Sequence, residues 1–350
     1  MMEQKIKEWI AKQQPFVVYR KPGEQTRIGW FQQNDQLQVV SVPDSTCFVF
    51  APFKDEEKVV LLKDECELVY DDSEIIVDFS KKPIALENPL TDKAFHLQLV
   101  QAGIDAIHQG CFQKVVLSRK EEVEVFPEDY QIYFNRFLKK YPTAFVYWFY
   151  HPKIGIWMGA TPEQLLKITN GVLQTVALAA TQVYAGEEIA VTWGEKEQQE
   201  QQIVTDFIVE SIAPFTNQLT LTKPYTFKAG SLLHIKTDIT AQLTDWDCAY
   251  KVTEALHPTP ALCGYPKEAA RTFIVENEGY ERAYYGGYLG EWDFGGTDAK
   301  NCDLFVNLRC MKIEGNKASL FLGGGINADS VPEKEYGETV NKSKTVKSIL

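Results

Sequence analysis

Two pairs of glutamates in the sequence have a spacing that could bind a metal ion. Glu197 and Glu200 lie on a predicted helix that follows Trp193. Glu335 and Glu338 lie on the predicted last helix. A spacing of three residues places both carboxylates of a pair on one helix face, and two such pairs around one cavity would suit Mg²⁺, which prefers oxygen ligands. Acidic residues on helices more often form a solvated face, so each pair alone leaves both interpretations open.

Lys114 is a candidate for a general base. It lies in a predicted strand over residues 113–119, where alternation places it on the same side as Val116 and Ser118. A lysine that apolar neighbours shield from water can become neutral and accept a proton. From this segment alone, a lysine on a solvent-facing strand is the commoner case.

Glu163 is a candidate for the opposite role, that of a general acid. It follows a Gly-Ala-Thr-Pro turn and precedes apolar residues. Such surroundings can keep a carboxyl protonated near neutral pH, so that it can donate a proton to a leaving group. The commoner alternative is an acid at the start of a helix, where the helix dipole favours negative charge.

Three consecutive glycines, Gly323, Gly324 and Gly325, follow an apolar predicted strand. Together with a later alanine they fit a loose dinucleotide-binding pattern, but too few residues follow for a second βαβ unit. Backbone N–H groups that bind an anion, such as a carboxylate, are the better interpretation. Arg309, in the predicted strand 305–311, could add a bidentate contact to that anion. A glycine turn near a surface arginine is an equally good alternative.

Two histidines complete the candidates. His234 lies in an apolar predicted strand, where a lone histidine is usually a packed and hydrogen-bonded core residue. His257 opens the sequence His-Pro-Thr-Pro-Ala-Leu, which by itself is a proline-stiffened loop without an obvious catalytic group. The sequence contains no G-x-S-x-G, P-loop or H-E-x-x-H motif.

The elements that must position these residues form a mixed pattern. Short apolar segments separated by turn residues predict strands through residues 1 to 90. Beyond them, predicted helices over 92–109, 193–214 and 332–350 are interspersed with further strands. Connections too short for regular crossovers favour an α+β fold with antiparallel sheets.

Composition excludes several classes of partner. The chain has 350 residues, of which 45% are hydrophobic and 24% charged, as in ordinary globular proteins. A net charge of -12 disfavours nucleic acid, although a local positive site could still bind a small anion. No apolar stretch has the form of a signal peptide or a membrane span. Seven cysteines without metal-binding spacing predict reduced thiols in the cytoplasm.

In chain order, these segments resemble the chorismate-utilising enzymes, which comprise the isochorismate, salicylate, anthranilate and aminodeoxychorismate synthases. The resemblance covers residues 93–350 and includes Tyr285-Gly286-Gly287 and the segment 332–342. It implies a large single-domain α+β chorismate-binding fold with antiparallel sheets flanked by helices. Residues 1–92 would form an N-terminal β-rich part of that fold, and residues 93–350 its catalytic core.

The resemblance also implies a role for each candidate side chain. Lys114 and Glu163 would be catalytic. The glutamate pairs would hold Mg²⁺ against the ring carboxylate of chorismate, with Glu200 and one of Glu335 or Glu338 as direct ligands. The remaining groups would contact the substrate; they are Thr181, His234, Ala261, Leu262, Tyr285, Arg309, Gly323, Gly324, Gly325 and Lys342.

Within the family, the segment 257–264 and Lys114 distinguish the chemistries. Members that add ammonia carry a glycine-rich version of the segment, whereas the form here is similar to that of isochorismate synthases. Lys114 fits the same branch, because water needs a base whereas ammonia is already a neutral nucleophile. The resemblance implies that Lys114 deprotonates water for attack at C2 while Glu163 protonates the departing C4 hydroxyl. The product would serve menaquinone or siderophore biosynthesis.

One departure from the family and three alternatives remain. The chain has Ala179-Ala180-Thr181 where the family usually has Ala-Gly-Thr or Ala-Gly-Ser, and the added methyl group would narrow the pocket or shift the backbone. The alternatives are a salicylate synthase, an ammonia-using synthase subunit and a non-catalytic chorismate-binding protein. Lys114 argues against the ammonia-using subunit, so we expect no amidotransferase subunit. We also expect a monomer, without a nucleic acid partner or a membrane partner.

Overall fold

Apolar strands fold most of the chain into two β-sheets. The computed structural model describes residues 1–54, 57–77, 90–183, 192–229, 232–295 and 300–350. The strands in these ranges, in chain order, are β1 (Phe16–Arg20), β2 (Arg27–Gln32), β3 (Gln38–Val40), β4 (Cys47–Ala51), β5 (Lys58–Leu62), β6 (Cys66–Asp71), β7 (Lys114–Glu124), β8 (Phe145–His151), β9 (Gly155–Thr161), β10 (Gln164–Thr169), β11 (Val172–Val183), β12 (Thr216–Leu221), β13 (Tyr225–Ala229), β14 (Leu232–Leu243), β15 (Gly264–Tyr265), β16 (Tyr288–Trp292), β17 (Cys302–Val306), β18 (Cys310–Glu314) and β19 (Lys317–Ile326).

Both sheets are antiparallel. The first has the strand order β15-β7-β19-β18-β9-β8-β1-β2-β6, and the second has the order β12-β14-β11-β10-β17-β16-β4-β5-β3. Strand β13 also pairs with β14, beyond the end of β12. The first six strands of the chain contribute to both sheets. The predicted α+β fold with antiparallel sheets is therefore confirmed.

Helices cover the outer faces of the two sheets. They are α1 (Met2–Ala11), α2 (Leu90–His108), α3 (Tyr130–Lys140), α4 (Glu195–Ile212), α5 (Cys248–Leu256), α6 (Lys267–Asn277) and α7 (Pro332–Lys347). Helices α2, α3 and α7 pack on the first sheet, and α4 and α5 pack on the second. None of the helices in the described ranges is both long and apolar enough to cross a membrane.

Aromatic side chains fill the space between the sheets. Phe50 of the second sheet stacks on Phe149 of the first, with 4.4 Å between the ring centroids. Phe145 and Phe305 form a second stack across the sheets at 4.3 Å. Offset aromatic pairs add about 0.5–1.5 kcal/mol to the apolar area that they bury. These contacts fix the separation of the two sheets.

A buried ionic network joins the same two sheets. Lys21 follows β1, and its Nζ lies 2.5 Å from a carboxylate oxygen of Glu291 and 3.3 Å from one of Asp303. Tyr19 also donates a hydrogen bond to Glu291. Glu291 is 2% exposed, and a buried carboxylate is stable only when such partners compensate its charge.

The structure differs from the sequence-based predictions in three places. Helix α1 occupies residues for which the sequence predicted no helix. Glu163 does not begin a helix but lies between β9 and β10. The predicted strand 305–311 is two strands, because the chain leaves the second sheet after Val306 and enters the first at Cys310. The buried side chain of Asn307, which bonds with a tyrosine hydroxyl and a backbone carbonyl, holds this crossing in place.

Strand β11 has an irregularity at the alanine that replaces the usual glycine of the family. Its register with β14 shifts between Ala179 and Gln182, and Ala180 has a φ of 59°. For a residue with a Cβ atom, this left-handed conformation is less favourable by about 1–2 kcal/mol in free energy. The Nδ1–H of His234 donates to the Ala180 carbonyl at 2.9 Å and helps to hold it. The backbone therefore has a conformation that glycine would favour.

Ala180→Gly should raise the free energy of unfolding by up to about 1 kcal/mol, because glycine adopts positive φ without steric strain. Urea denaturation followed by circular dichroism measures the change. Ala177→Gly is the matched control, since Ala177 is buried in the regular part of the same strand. It should lower the free energy of unfolding by about 1 kcal/mol. Equal destabilisation by both substitutions would contradict strain at Ala180.

Candidate active site

The glycines of β19 lie beside the first residues of β7. A Cβ atom placed on Gly325 would lie 3.1 Å from Cε of Lys114, and one placed on Gly323 would lie 2.6 Å from the Tyr285 hydroxyl. Any other residue type at these positions would displace the lysine or the tyrosine. The glycines therefore leave room for two groups predicted from the sequence, Lys114 and Tyr285, at one end of the first sheet.

Lys114 reaches from β7 to helix α4. Its Nζ donates a hydrogen bond to Oε1 of Glu200 at 2.8 Å. The two side chains are 20% and 37% exposed, so the ion pair borders solvent. On the opposite side of β7, Val115 and Leu117 are buried in the cluster under α2. The predicted alternation along the strand is thus present, and it leaves Lys114 facing an accessible site.

Glu163 lies opposite the segment 257–264. Its carboxyl, Thr259 and Ala261 line one narrow cavity with mostly apolar neighbours from β10, β11, α4 and α5. Burial raises the pKa of the Glu163 carboxyl to about 7, although the positive charges of Arg309 and Lys114 act against this shift. A carboxyl with this pKa is mostly protonated just below neutral pH, as a general acid requires.

Arg309 lies in the short link between β17 and β18. It has a φ of 51°, and its carbonyl accepts a hydrogen bond from the N–H of Ala160 at 3.3 Å. The residue is exposed, and the part of the chain that the structure describes offers its guanidinium no hydrogen bond or ion pair. A guanidinium in this state can bind an anion through two parallel hydrogen bonds.

Tyr285 and Lys342 both approach Gly323. The buried ring of Tyr285 stacks on Phe321 with 5.2 Å between centroids. Burial raises the pKa of the Tyr285 hydroxyl above its ordinary value, so the hydroxyl keeps its proton and can donate a hydrogen bond. Lys342 donates from Nζ to the Gly323 carbonyl at 3.0 Å. Two of the residues predicted to bind one carboxylate, Tyr285 and Lys342, therefore lie beside Gly323.

The segment 257–264 is held at its start by side-chain hydrogen bonds and at its end by the pairing of Gly264 with Val115 of β7. His257 donates from Nε2 to a backbone carbonyl of the loop after β4 at 3.1 Å. Lys267, at the start of α6, donates hydrogen bonds from Nζ to three backbone carbonyls at the end of α5, those of Glu254, Ala255 and His257. Leu262 is 6% exposed, and Ala261 faces the Glu163 cavity. The two residues predicted to shape the pocket are therefore in fixed positions.

His234 is a hydrogen-bonded histidine beside the irregular part of β11. Burial lowers the pKa of its imidazole, against the opposing effect of its hydrogen bond to Ala180. Because a carbonyl oxygen can only accept, Nδ1 carries the proton of this contact. The side chain of Thr181, another predicted contact, lies outside the described residues.

Two of the four predicted metal ligands are paired with lysines. Glu200 accepts the hydrogen bond from Lys114 described above. Glu338 accepts one from Lys342 at 2.6 Å, across one turn of α7. The ammonium groups of Lys114 and Lys342 thus lie beside Glu200 and Glu338, where a bound metal ion would also have to lie.

The other two predicted ligands occupy separate positions. Oε2 of Glu197 lies over the start of α4, 2.6 Å from the position of a Cβ atom on Gly194. Oε2 of Glu335 lies 3.6 Å from the corresponding position on Gly324. Across the described ranges, no three Asp, Glu, His or Cys side chains are close enough together to hold one metal ion. The carboxylate oxygens are of the kind that Mg²⁺ binds, but their side chains would have to turn to share one ion.

Sequence reasoning missed a buried ion pair beside this site, formed by Glu278 and Arg282. Their spacing of four residues, just before Tyr-Tyr-Gly-Gly, is a signal that could have identified them. It also missed Thr259, whose buried hydroxyl has no hydrogen-bond partner among the described residues.

Known proteins are similar in sequence to this chain over most of its length. A family model described as chorismate binding enzyme matches residues 47–350. A protein of Aeromonas hydrophila, named provisionally as an isochorismate synthase, is 34% identical over 67% of this chain and 60% of its own length. Anthranilate synthase component 1 of Thermococcus kodakarensis is 30% identical over 73% of this chain and 59% of its own length. The chain thus matches less than two thirds of the length of these relatives.

A solved structure shares the fold. The menaquinone-specific isochorismate synthase of Escherichia coli aligns with a TM-score of 0.82 and 21% identity, covering 98% of this chain and 90% of that chain. The family match confirms the resemblance seen in residues 93–350 and extends it to residue 47. From this match over residues 47–350, the chain belongs to the chorismate-binding enzyme family.

Proposed function

We propose that the protein is an isochorismate synthase, which adds water at C2 of chorismate and expels the C4 hydroxyl. The observation that carries this proposal is the position of Glu163 in a cavity that it shares with Thr259 and Ala261, where burial raises the pKa of its carboxyl to about 7 against the opposing charges of Arg309 and Lys114. An acid and a base at one site are what the exchange of one hydroxyl for another requires. The similarity to the protein of Aeromonas hydrophila supports the same activity.

Each of the two catalytic residues then has one task. Lys114, as the general base, takes a proton from water as the water oxygen forms its bond to C2. The ring double bonds shift, the C4–O bond breaks, and Glu163 gives its proton to the leaving oxygen, which departs as water. A proton returned from the Lys114 ammonium to the Glu163 carboxylate restores both groups, and chorismate and isochorismate have the same atoms.

The substrate contacts follow from the groups around the glycines. Tyr285, Arg309, Lys342 and the amides of Gly323, Gly324 and Gly325 would bind the enolpyruvyl carboxylate. These groups are cationic or donate hydrogen bonds, so they complement a carboxylate. The residues that would contact or enclose the ring are Thr181, His234, Ala261 and Leu262.

We further propose that the two glutamate pairs hold Mg²⁺. Glu200 and one of Glu335 or Glu338 would bind it directly, with Glu197 and the remaining glutamate acting through water. When bound, the ion would neutralise the ring carboxylate. The carboxylate oxygens of the four glutamates, which are the ligand type that Mg²⁺ prefers, support this placement.

An ammonia-using synthase is the second candidate, because one relative is a component of anthranilate synthase. A base has no task in that reaction, whereas Lys114 at the head of β7 has one in the addition of water. We therefore propose that the protein acts without an amidotransferase subunit. We also propose that it is a monomer and that it works in the cytoplasm.

Purified protein with chorismate and Mg²⁺ should form isochorismate without ammonia and without pyruvate release. Lys114→Met and Glu163→Gln should each lower kcat by roughly 10²–10⁴-fold, because each removes one proton transfer. Liquid chromatography of the products measures turnover, and circular dichroism verifies that the variants fold.

Lys312→Met and Glu314→Gln are the matched controls for these two variants. They form an ion pair on β18 with 2.8 Å between Nζ and Oε1, and both should retain wild-type turnover. Pyruvate in equal amount would instead identify a salicylate synthase. Anthranilate formed with ammonium would identify the ammonia-using class.

In Lys114→Met, which keeps the acid but lacks the ionisable base, the residual rate should fall as pH rises past about 7, the pKa of the Glu163 carboxyl. The carboxyl is protonated below this pH and ionised above it, so a general acid is lost at about tenfold per pH unit on the alkaline side. A pH profile of kcat measures this limb, and the residual activity of Glu163→Gln should lack it. A Lys114→Met profile without an alkaline decrease near this pH would argue against Glu163 as the acid.

Removal of divalent cations with EDTA should abolish turnover, and added Mg²⁺ should restore it. Glu200→Gln should weaken Mg²⁺ binding by at least about tenfold, because it removes one charged oxygen ligand. Isothermal titration calorimetry measures the affinity. Glu195→Gln, an exposed glutamate on the same helix, should leave it unchanged. Undiminished turnover in EDTA would exclude the proposed role of the metal.

A further inference from the structure

Arg282 is a buried arginine that contacts three parts of the candidate site. Its side chain is 2% exposed. Nη1 donates to the carbonyl of Leu262 at 2.8 Å, and Nη2 donates to the carbonyl of Val116 at 2.7 Å. Its guanidinium carbon lies 5.6 Å from the ring centroid of Tyr285. One planar group therefore joins the strand of Lys114, the segment 257–264 and a proposed substrate contact.

Glu278 completes this network. Its Oε2 accepts a hydrogen bond from Nε of Arg282 at 2.7 Å. Its Oε1 accepts from the N–H of Ser118 at 2.7 Å and from the Ser118 hydroxyl at 2.9 Å. The short strand β15 pairs with Lys114 and Val115 of β7, and beyond it the Val116 carbonyl and the Ser118 N–H bond with side chains and not with a strand. Arg282 and Glu278 bond with them as a longer strand would.

Burial makes the position of Arg282 well defined. Glu278 is 2% exposed, so each charge depends on the other for compensation. The planar fork of arginine fixes the directions of its hydrogen bonds, which a lysine cannot reproduce. Val116 is two residues from Lys114, and Leu262 is next to Ala261 in the wall of the Glu163 cavity. A displaced guanidinium would therefore shift the base and the cavity wall relative to each other.

We propose that Arg282 is a positioning residue, which fixes the segment 257–264 against the strand of Lys114 and thereby aligns the reacting groups without touching chorismate. Its kinetic consequence rests on the proposed function, whereas its structural consequence does not. Among the described residues, Tyr285 is the one group proposed to bind the substrate carboxylates that contacts the Arg282 guanidinium, so substrate affinity should depend on Arg282 less than kcat does. A misplacement of about 1 Å can lower the rate of a reaction 100-fold.

Arg282→Lys keeps a positive charge beside Glu278 but cannot donate to both carbonyls in the same geometry. We expect kcat to fall by about 100-fold, while KM stays within about threefold of the wild-type value. Hydrogen–deuterium exchange followed by mass spectrometry gives a readout independent of activity. The peptides that cover 114–118 and 257–264 should exchange at least about tenfold faster.

Arg136→Lys is the matched control. Arg136 is also a buried arginine that donates to two main-chain oxygens, those of Ile349 and Leu350, at 2.8 and 2.7 Å. These oxygens lie after the end of α7 and not in the segment 257–264 or the strand of Lys114. The control should lose a comparable amount of stability, yet keep wild-type kcat and wild-type exchange in the two peptides.

Unchanged exchange in the 257–264 peptide would overturn the positioning role, as would a kcat within about threefold of wild type per folded molecule. A rise in KM alone would also overturn it, because it would place Arg282 in substrate binding. Should Arg282→Lys fail to fold, Ser118→Ala removes one hydrogen bond to Glu278 and is judged by the same two measurements. If the wild-type protein forms no isochorismate, the proposed function fails, while the exchange result still decides the structural role of Arg282.

Discussion

The pairing of β7 with the glycines of β19 is the contact on which the rest of the candidate site depends. The ladder is long, from Lys317 opposite Glu124 to Ile326 opposite Val115. Its apolar first half is anchored in the core of the first sheet, which offsets the entropy that glycines lose in a strand. The second half can therefore dispense with side chains. Lys114, Tyr285 and the carboxylate of Glu335 lie where those side chains would have been.

The charges of the site oppose those of the whole molecule. The chain has a net charge of -12, yet Lys114 and Arg309 both exert a positive field on Glu163. An anion would gain little from the overall surface and much from this local arrangement, because the effective dielectric constant is lower beside buried groups. The same field limits how far burial can raise the pKa of Glu163, which stays near neutral pH.

Local patterns predicted the strands and the membership of the site well, but tertiary pairing decided the details. Strand β4, Cys47–Ala51, is one of the strands that the short apolar segments of residues 1 to 90 predict, because a short apolar run between turns is a local signal. The turn before Glu163 resembles a helix start, yet the residues after it pair with β17 and form a strand. The spacing of Glu197 and Glu200 fixes their face of a helix but not their distance from a second helix. It also cannot reveal that Lys114 is the partner of Glu200.

The link from β17 to β18 gives the position of Arg309 a mechanical consequence. The chain passes from one sheet to the other within three residues, and the middle one, Leu308, packs against the core clusters on both sides. Arg309 therefore lies at the junction of the two sheets and not in a free loop. If one sheet moved relative to the other, the guanidinium of Arg309 would move as well. The aromatic stacks between the sheets therefore also keep this end of the site in its position.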